Sequence, residues 1–175
     1  MEDHGHMNHH QAVSPGSTLT TYRPLILILT GILAVTLLTA WLRGNIAGPE
    51  LMRLFMGYFF VVFASFKFLD LQGFADAYAE YDLVASRSRF YAFAYPFIEA
   101  VLGIAYLSAW QLTATNTITL IVMLVSSAGV LNALLGQQKI RCACLGAVIK
   151  LPMTTVTLIE DLGMAAMAVL MLLVS

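Results

Sequence analysis

The 175-residue chain is 59% hydrophobic and only 11% charged, with a mean hydropathy of +0.81. Soluble domains carry about 25% charged residues, so this chain has too little polar side chain to wet a globule of its size, which excludes a soluble enzyme and a disordered chain. Nine basic residues against ten acidic ones leave a net charge of −1 and no basic field to hold nucleic acid, so the lipid bilayer is the expected surrounding.

Residues 1–22 are polar, include Pro15 and Gly16, and lack apolar periodicity, which predicts a flexible tail. All four histidines, His4, His6, His9 and His10, lie in it, leaving none elsewhere for catalysis. They are ligand types for copper, nickel or zinc, though a merely solvated tail is an equal reading. Residues 24–42 are apolar and free of charge, long enough to cross a ~30 Å core at about 1.5 Å per residue. The run exceeds the about 7–15 apolar residues of a signal peptide. Residues 23–43 are therefore expected to form a permanent first transmembrane helix.

Gly44, Asn45, Gly48 and Pro49 mark a turn. A second span, 51–71, carries Lys67 and Asp70 in its final part. Residues 74–89 mix charges with aromatics, which suits a short interfacial helix with Tyr78 and Tyr81 at headgroup level. The third span, 90–110, contains Pro96 and Glu99, and a neutral loop, 111–116, leads to the fourth, 117–135. The loop 136–152 holds the two cysteines, Cys142 and Cys144. The fifth span, 153–174, begins after Pro152, a residue suited to a helix's first turn, and carries Glu160 and Asp161. The expected fold is an all-α integral membrane protein of five transmembrane helices.

With five spans, the tail, the 72–89 segment and the cysteine loop share one side. Six positive residues lie there, Arg23, Arg87, Arg89, Lys139, Arg141 and Lys150, against Arg43 and Arg53 opposite. The positive-inside rule then places the tail and the cysteine loop in the cytoplasm of a bacterial inner-membrane protein.

Every ionisable group inside spans two to five falls in the half facing the cysteines, which predicts a polar cavity beneath their loop. Lys67, Asp70, Glu99, Asn132, Glu160 and Asp161 are its candidates. Lys67 and Asp70, at i and i+3, can meet on one helix face, or form an edge pair with the lysine snorkelling. Glu99 cannot snorkel far, so it needs a partner such as Lys67 or stays protonated through desolvation. Glu160 and Asp161 point about 100° apart, so they are not expected to share one partner, and one of them should join the cavity.

Cys142-Ala-Cys144 has Lys139, Arg141 and Lys150 around it. Nearby positive charge favours thiolate, the form that attacks disulfides and binds soft metals. A C-x-C pair can close a strained, labile disulfide. The plainer reading is two small residues in a tight turn. No Walker loop, dinucleotide fingerprint or serine triad is present.

Taken together, Phe66-Lys-Phe-Leu-Asp70 with Gly73-Phe-Ala75, Tyr81-Asp-Leu-Val84, Pro96-Phe-Ile-Glu-Ala100 with Gly103, Cys142-Ala-Cys-Leu-Gly146 and Glu160-Asp161 resemble the MauE/DoxX group of redox-associated membrane proteins. The resemblance covers roughly residues 50–175. It implies a DoxX-like four-helix membrane domain to which residues 23–43 are an addition. It also implies a maturation role toward a partner protein, as for the disulfide-rich small subunit of methylamine dehydrogenase, with relatives in quinone- or thiol-linked reactions. Carried over by position, Cys142 and Cys144 would be a redox pair, with Lys67, Asp70, Glu99, Glu160 and Asp161 around them. In a thiol–disulfide relay built on that pair, Glu99 or Asp161 would move protons. The alternative is a metal carrier using the histidine tail and the C-x-C pair. The cofactor stays open, with a quinone or a soft or borderline ion such as copper as the candidates.

Overall fold

The computed structural model describes residues 18–136, 141–142, 151–152 and 155–174, with side chains placed at 23–136 and 158–174. The elements are α1 (Thr18–Leu42), α2 (Gly48–Leu69), α3 (Leu71–Ala79), α4 (Arg89–Leu107), α5 (Leu112–Leu135), β1 (Arg141–Cys142), β2 (Leu151–Pro152) and α6 (Thr155–Val174). Among the described residues, four helical stretches are long and apolar enough to cross a bilayer: Arg23–Leu42, Gly48–Leu69, Arg89–Leu107 and Leu112–Leu135. They match the first four expected spans. At the position of the fifth stands α6, a 20-residue helix that opens just after the short antiparallel pair β1–β2.

Helix α2 packs most extensively on α4, and α5 on α6, while α1 lies against α2. The α1–α2 contact is pinned by a hydrogen bond of 2.9 Å between the Thr39 and Tyr58 hydroxyls. Between helices in hydrocarbon there is little hydrophobic gain from association, so close backbone approach and buried hydrogen bonds hold the bundle. The α2–α4 crossing depends on Gly103, where an added Cβ would sit 2.9 Å from the Val61 amide nitrogen and 3.0 Å from the Gly57 carbonyl. Most of the large exposed apolar side chains, such as Leu27, Leu38, Val101, Ile121 and Leu173, point away from this core, as lipid-facing residues should.

Two polar devices tie the connections down. Arg53, expected to be a loop charge, is only 4% exposed. Its guanidinium reaches the last carbonyls of α4, at Tyr106 and at Leu107 (3.1 Å), groups a helix end leaves without intrahelical partners. Glu50 holds the other edge of that guanidinium at 2.6 and 3.0 Å, and Arg43 flanks Glu50 at 3.5 Å.

The second device is Asp82, completely buried in the α3–α4 connection. Its carboxylate accepts from the amides of Val84 and Ala85 at 2.9 and 2.8 Å and from the Tyr78 hydroxyl at 2.9 Å. Burial keeps the Tyr78 phenol well above its ordinary range, so it stays a donor to Asp82. The connection rests on α5 at Gly129, where a Cβ would lie 3.0 Å from both Asp82 Cα and the Tyr81 carbonyl. Tyr78 and Tyr81 are therefore turned into the bundle, at 2% and 8% exposure. The interfacial helix is shorter than expected, ending at Ala79, because the chain turns there to bring Asp82 under α3.

Gly103→Ala should lower unfolding stability by about 1–3 kcal/mol, since backbone rather than a flexible side chain blocks the methyl. Gly31→Ala and Gly163→Ala, with nothing within 4 Å, should not destabilise. Thermal or denaturant unfolding of the purified protein in detergent measures the difference.

Candidate functional site

The centre of the site is an ion pair between helices. Lys67 comes from the last turn of α2 and Glu99 from the middle of α4, and both are 4% exposed. The ammonium lies 2.5 Å from each Glu99 carboxylate oxygen. It also sits 4.8 Å from the Tyr95 ring centre and 5.2 Å from that of Phe74, within cation–π range of both. Phe74 belongs to α3, so the short helix closes over the pair. The ring of Tyr78 stacks on Phe74 at 5.2 Å and tilts against Tyr95 at 4.6 Å, completing an aromatic wall.

Helices α5 and α6 supply the opposite wall. The Ser126 hydroxyl donates to Asp161 Oδ2 at 2.8 Å. Glu160 Oε1 is buried without a hydrogen-bond partner among the described residues. Lys67, Tyr95, Glu99, Ser126, Glu160 and Asp161 line one cavity of about 30 Å³, room for a water or two. Adjacent residues on α6 both reach it, although only Asp161 has found a hydroxyl. One ammonium thus faces three carboxylic groups, an imbalance that buried sites resolve by binding protons or cations.

The sequence candidates divide cleanly. Lys67, Glu99, Glu160 and Asp161 come together. Asp70 does not join them: it is exposed and caps α3, its Oδ1 accepting from the Gly73 amide at 2.9 Å. The helix breaks at Asp70, so the i,i+3 geometry with Lys67 does not extend across it. Asn132 is exposed on α5, away from the cavity lining. Sequence reasoning missed Ser126, Tyr95 and Phe74 as parts of the site. The signal for Ser126 was a hydroxyl inside an apolar helix, which in hydrocarbon normally answers a polar group.

Cys142 lies in β1, whose backbone pairs with β2 in the register Cys142–Leu151 and which runs beside α3. Strand β1 belongs to the link from the end of α5 to the start of α6, the same end of the bundle as the pocket. The Cys142 side chain, Cys144 and His4, His6, His9 and His10 lie outside the described residues. Among the described residues, no group of three or more His, Cys, Asp or Glu is placed to hold a metal ion.

Apolar helices around an aromatic-walled polar pocket define a multi-pass membrane protein with buried ionisable side chains. The model of the family described as "Methylamine utilisation protein MauE" matches residues 46–174, and the chain belongs to that family. The match begins just before α2, so α1 lies outside it. No curated protein and no solved structure matches the chain.

Glu99→Leu should cost about 3–5 kcal/mol, because it removes the one carboxylate in direct contact with the buried Lys67 ammonium. The double change Lys67→Met with Glu99→Leu should recover most of that loss. Unfolding midpoints of the two singles and the double close the cycle.

Proposed function

We propose that this chain is an inner-membrane thiol–disulfide relay that matures a partner protein in methylamine utilisation. The family match supports the setting. The observation that carries the chemistry is the buried Lys67–Glu99–Asp161–Glu160 pocket at the end of the bundle where the Cys142 strand lies. Five spans are part of the proposal, with α6 as the fifth, and loop charge then favours a cytoplasmic face for the cysteines.

In the reaction, a pocket carboxylate takes the proton of one thiol, and the thiolate attacks a sulfur of the partner's disulfide. A mixed disulfide forms, and the displaced partner thiolate is protonated. The second cysteine, deprotonated in turn, attacks the mixed disulfide, closing Cys142–Cys144 and freeing the partner's second thiol. Two electrons pass from the pair to the partner, and the protons given up by the pair balance those the partner gains. The same steps in reverse oxidise a partner dithiol. Glu99 and Asp161 are the proton carriers of this scheme.

Replacing both cysteines by serine should abolish partner maturation, and retained maturation overturns the proposal. Asp161→Asn should slow exchange about 10²-fold or more while both thiols still react with a small maleimide. The impermeant form of that reagent, applied to intact cells with and without reduction, reads the orientation. Deleting residues 1–12 should leave exchange untouched. Loss of copper tolerance on that deletion, with maturation intact in the cysteine variant, would instead establish the metal carrier.

A further inference from the structure

Two adjacent carboxyls of α6, Glu160 and Asp161, line the pocket. A base that takes a proton and returns it must keep a hydrogen-bond partner in both states, because a buried polar group without one is costly. Two donors in the lining are committed elsewhere. The Lys67 ammonium is held by both Glu99 oxygens at 2.5 Å, and the Tyr78 hydroxyl donates to Asp82. Tyr81 and Tyr95 face the same cavity from the α3–α4 connection and from α4.

The Ser126 hydroxyl of α5 is what distinguishes the two carboxyls of α6. A serine or threonine inside a helix commonly turns its hydroxyl back to the carbonyl four residues earlier. Thr30, Thr36, Ser65, Ser108 and Thr117 all do so, at 2.7–2.8 Å. Buried Ser126 instead crosses to α6 and donates to Asp161 Oδ2 at 2.8 Å. Glu160 Oε1, one residue away, is buried with no partner among the described residues.

A carboxylate only accepts hydrogen bonds, whereas a hydroxyl both donates and accepts, and its hydrogen rotates to suit. Ser126 can therefore serve Asp161 in either form. It donates to the ionised carboxylate. Once Asp161 is protonated, the acid donates to Ser126 Oγ, and the serine hydrogen swings to the Val122 carbonyl, the position that the other helix hydroxyls use. Among the described residues, Glu160 Oε1 has no such group to receive it.

We infer that, in the relay proposed above, on which this rests, Ser126 is a positioning residue: its rotating hydroxyl makes Asp161, rather than the adjacent Glu160, the carboxyl that takes the thiol proton. The thiol S–H bond breaks as the Asp161 O–H bond forms, and the proton later passes to the displaced thiolate. Ser126 only turns and keeps its own hydrogen throughout.

The test is the single-turnover rate at which the reduced full-length protein, in detergent, exchanges with oxidised glutathione. Ser126→Ala should slow exchange about tenfold or more, the worth of one hydrogen bond to a charged group. Asp161→Asn should slow it about 10²-fold. The double variant should be no slower than Asp161→Asn alone, because Ser126 acts only through that carboxyl. Ser126→Gly, which also removes the hydroxyl, stands in if the alanine variant fails to fold. A full rate without the hydroxyl overturns the inference, and so does a double variant in which the two losses multiply, as they would if Ser126 merely supported the fold. Absence of exchange in the wild type would instead overturn the relay, and this role of Ser126 with it.

Discussion

The Lys67–Glu99 pair is the constraint around which this end of the bundle is organised. An ammonium and a carboxylate, each only 4% exposed, are tolerable in hydrocarbon only when held in contact. Contact requires α2 and α4 to run close, and Gly57 and Gly103 permit this by removing side chains from the crossing. It also requires a dry roof, which α3 provides by folding Phe74 over the ammonium. Buried Asp82 holds the α3–α4 connection in turn, and Gly129 lets it seat on α5. A short chain of steric and electrostatic necessities therefore runs from one ion pair through four of the six described helices.

Much of this was legible in the sequence. A charge content of 11% and uninterrupted apolar runs suffice to place the helices, because hydrocarbon admits backbone only in that form. The crowding of Lys67, Glu99, Glu160 and Asp161 toward one face of the membrane needs only residue counting along helices of known rise. Glu99 pointed to Lys67 because a glutamate at that depth has few alternatives. What escaped was set by tertiary packing. Asp70 was a plausible partner for Lys67 until the helix broke one residue earlier and turned its carboxylate to a cap. Tyr78 and Tyr81 carry the composition of interfacial residues, yet the tight turn after Ala79 draws them inward. Arg53 read as a loop charge, and only the fold reveals that it satisfies the end of α4.

The two ends of the bundle differ in kind. On the Cys142 side, charged groups share a volume that holds little more than a water. On the far side, the neutral Tyr106 hydroxyl bonds to Asn116 and Thr119, and Asn116 lies beside a larger, apolar-walled cavity. Phe59, Phe60, Phe63, Leu102, Met123 and Met164 belong to one apolar cluster that touches both ends, since Phe59, Phe63 and Met123 also line the charged pocket and Tyr106 is a member of the cluster.

The sequence distance across the central ion pair bears on how the protein is made. Lys67 and Glu99 are 32 residues apart, in different helices. When α2 leaves the ribosome, its ammonium has no counter-charge, and a lone lysine near a helix end reaches for the headgroups. The last turn of α2 can settle to its final depth only after α4 has been synthesised and has delivered Glu99. The final seating of α2 against α3 and α4 is therefore completed by the neutralisation of a single charge.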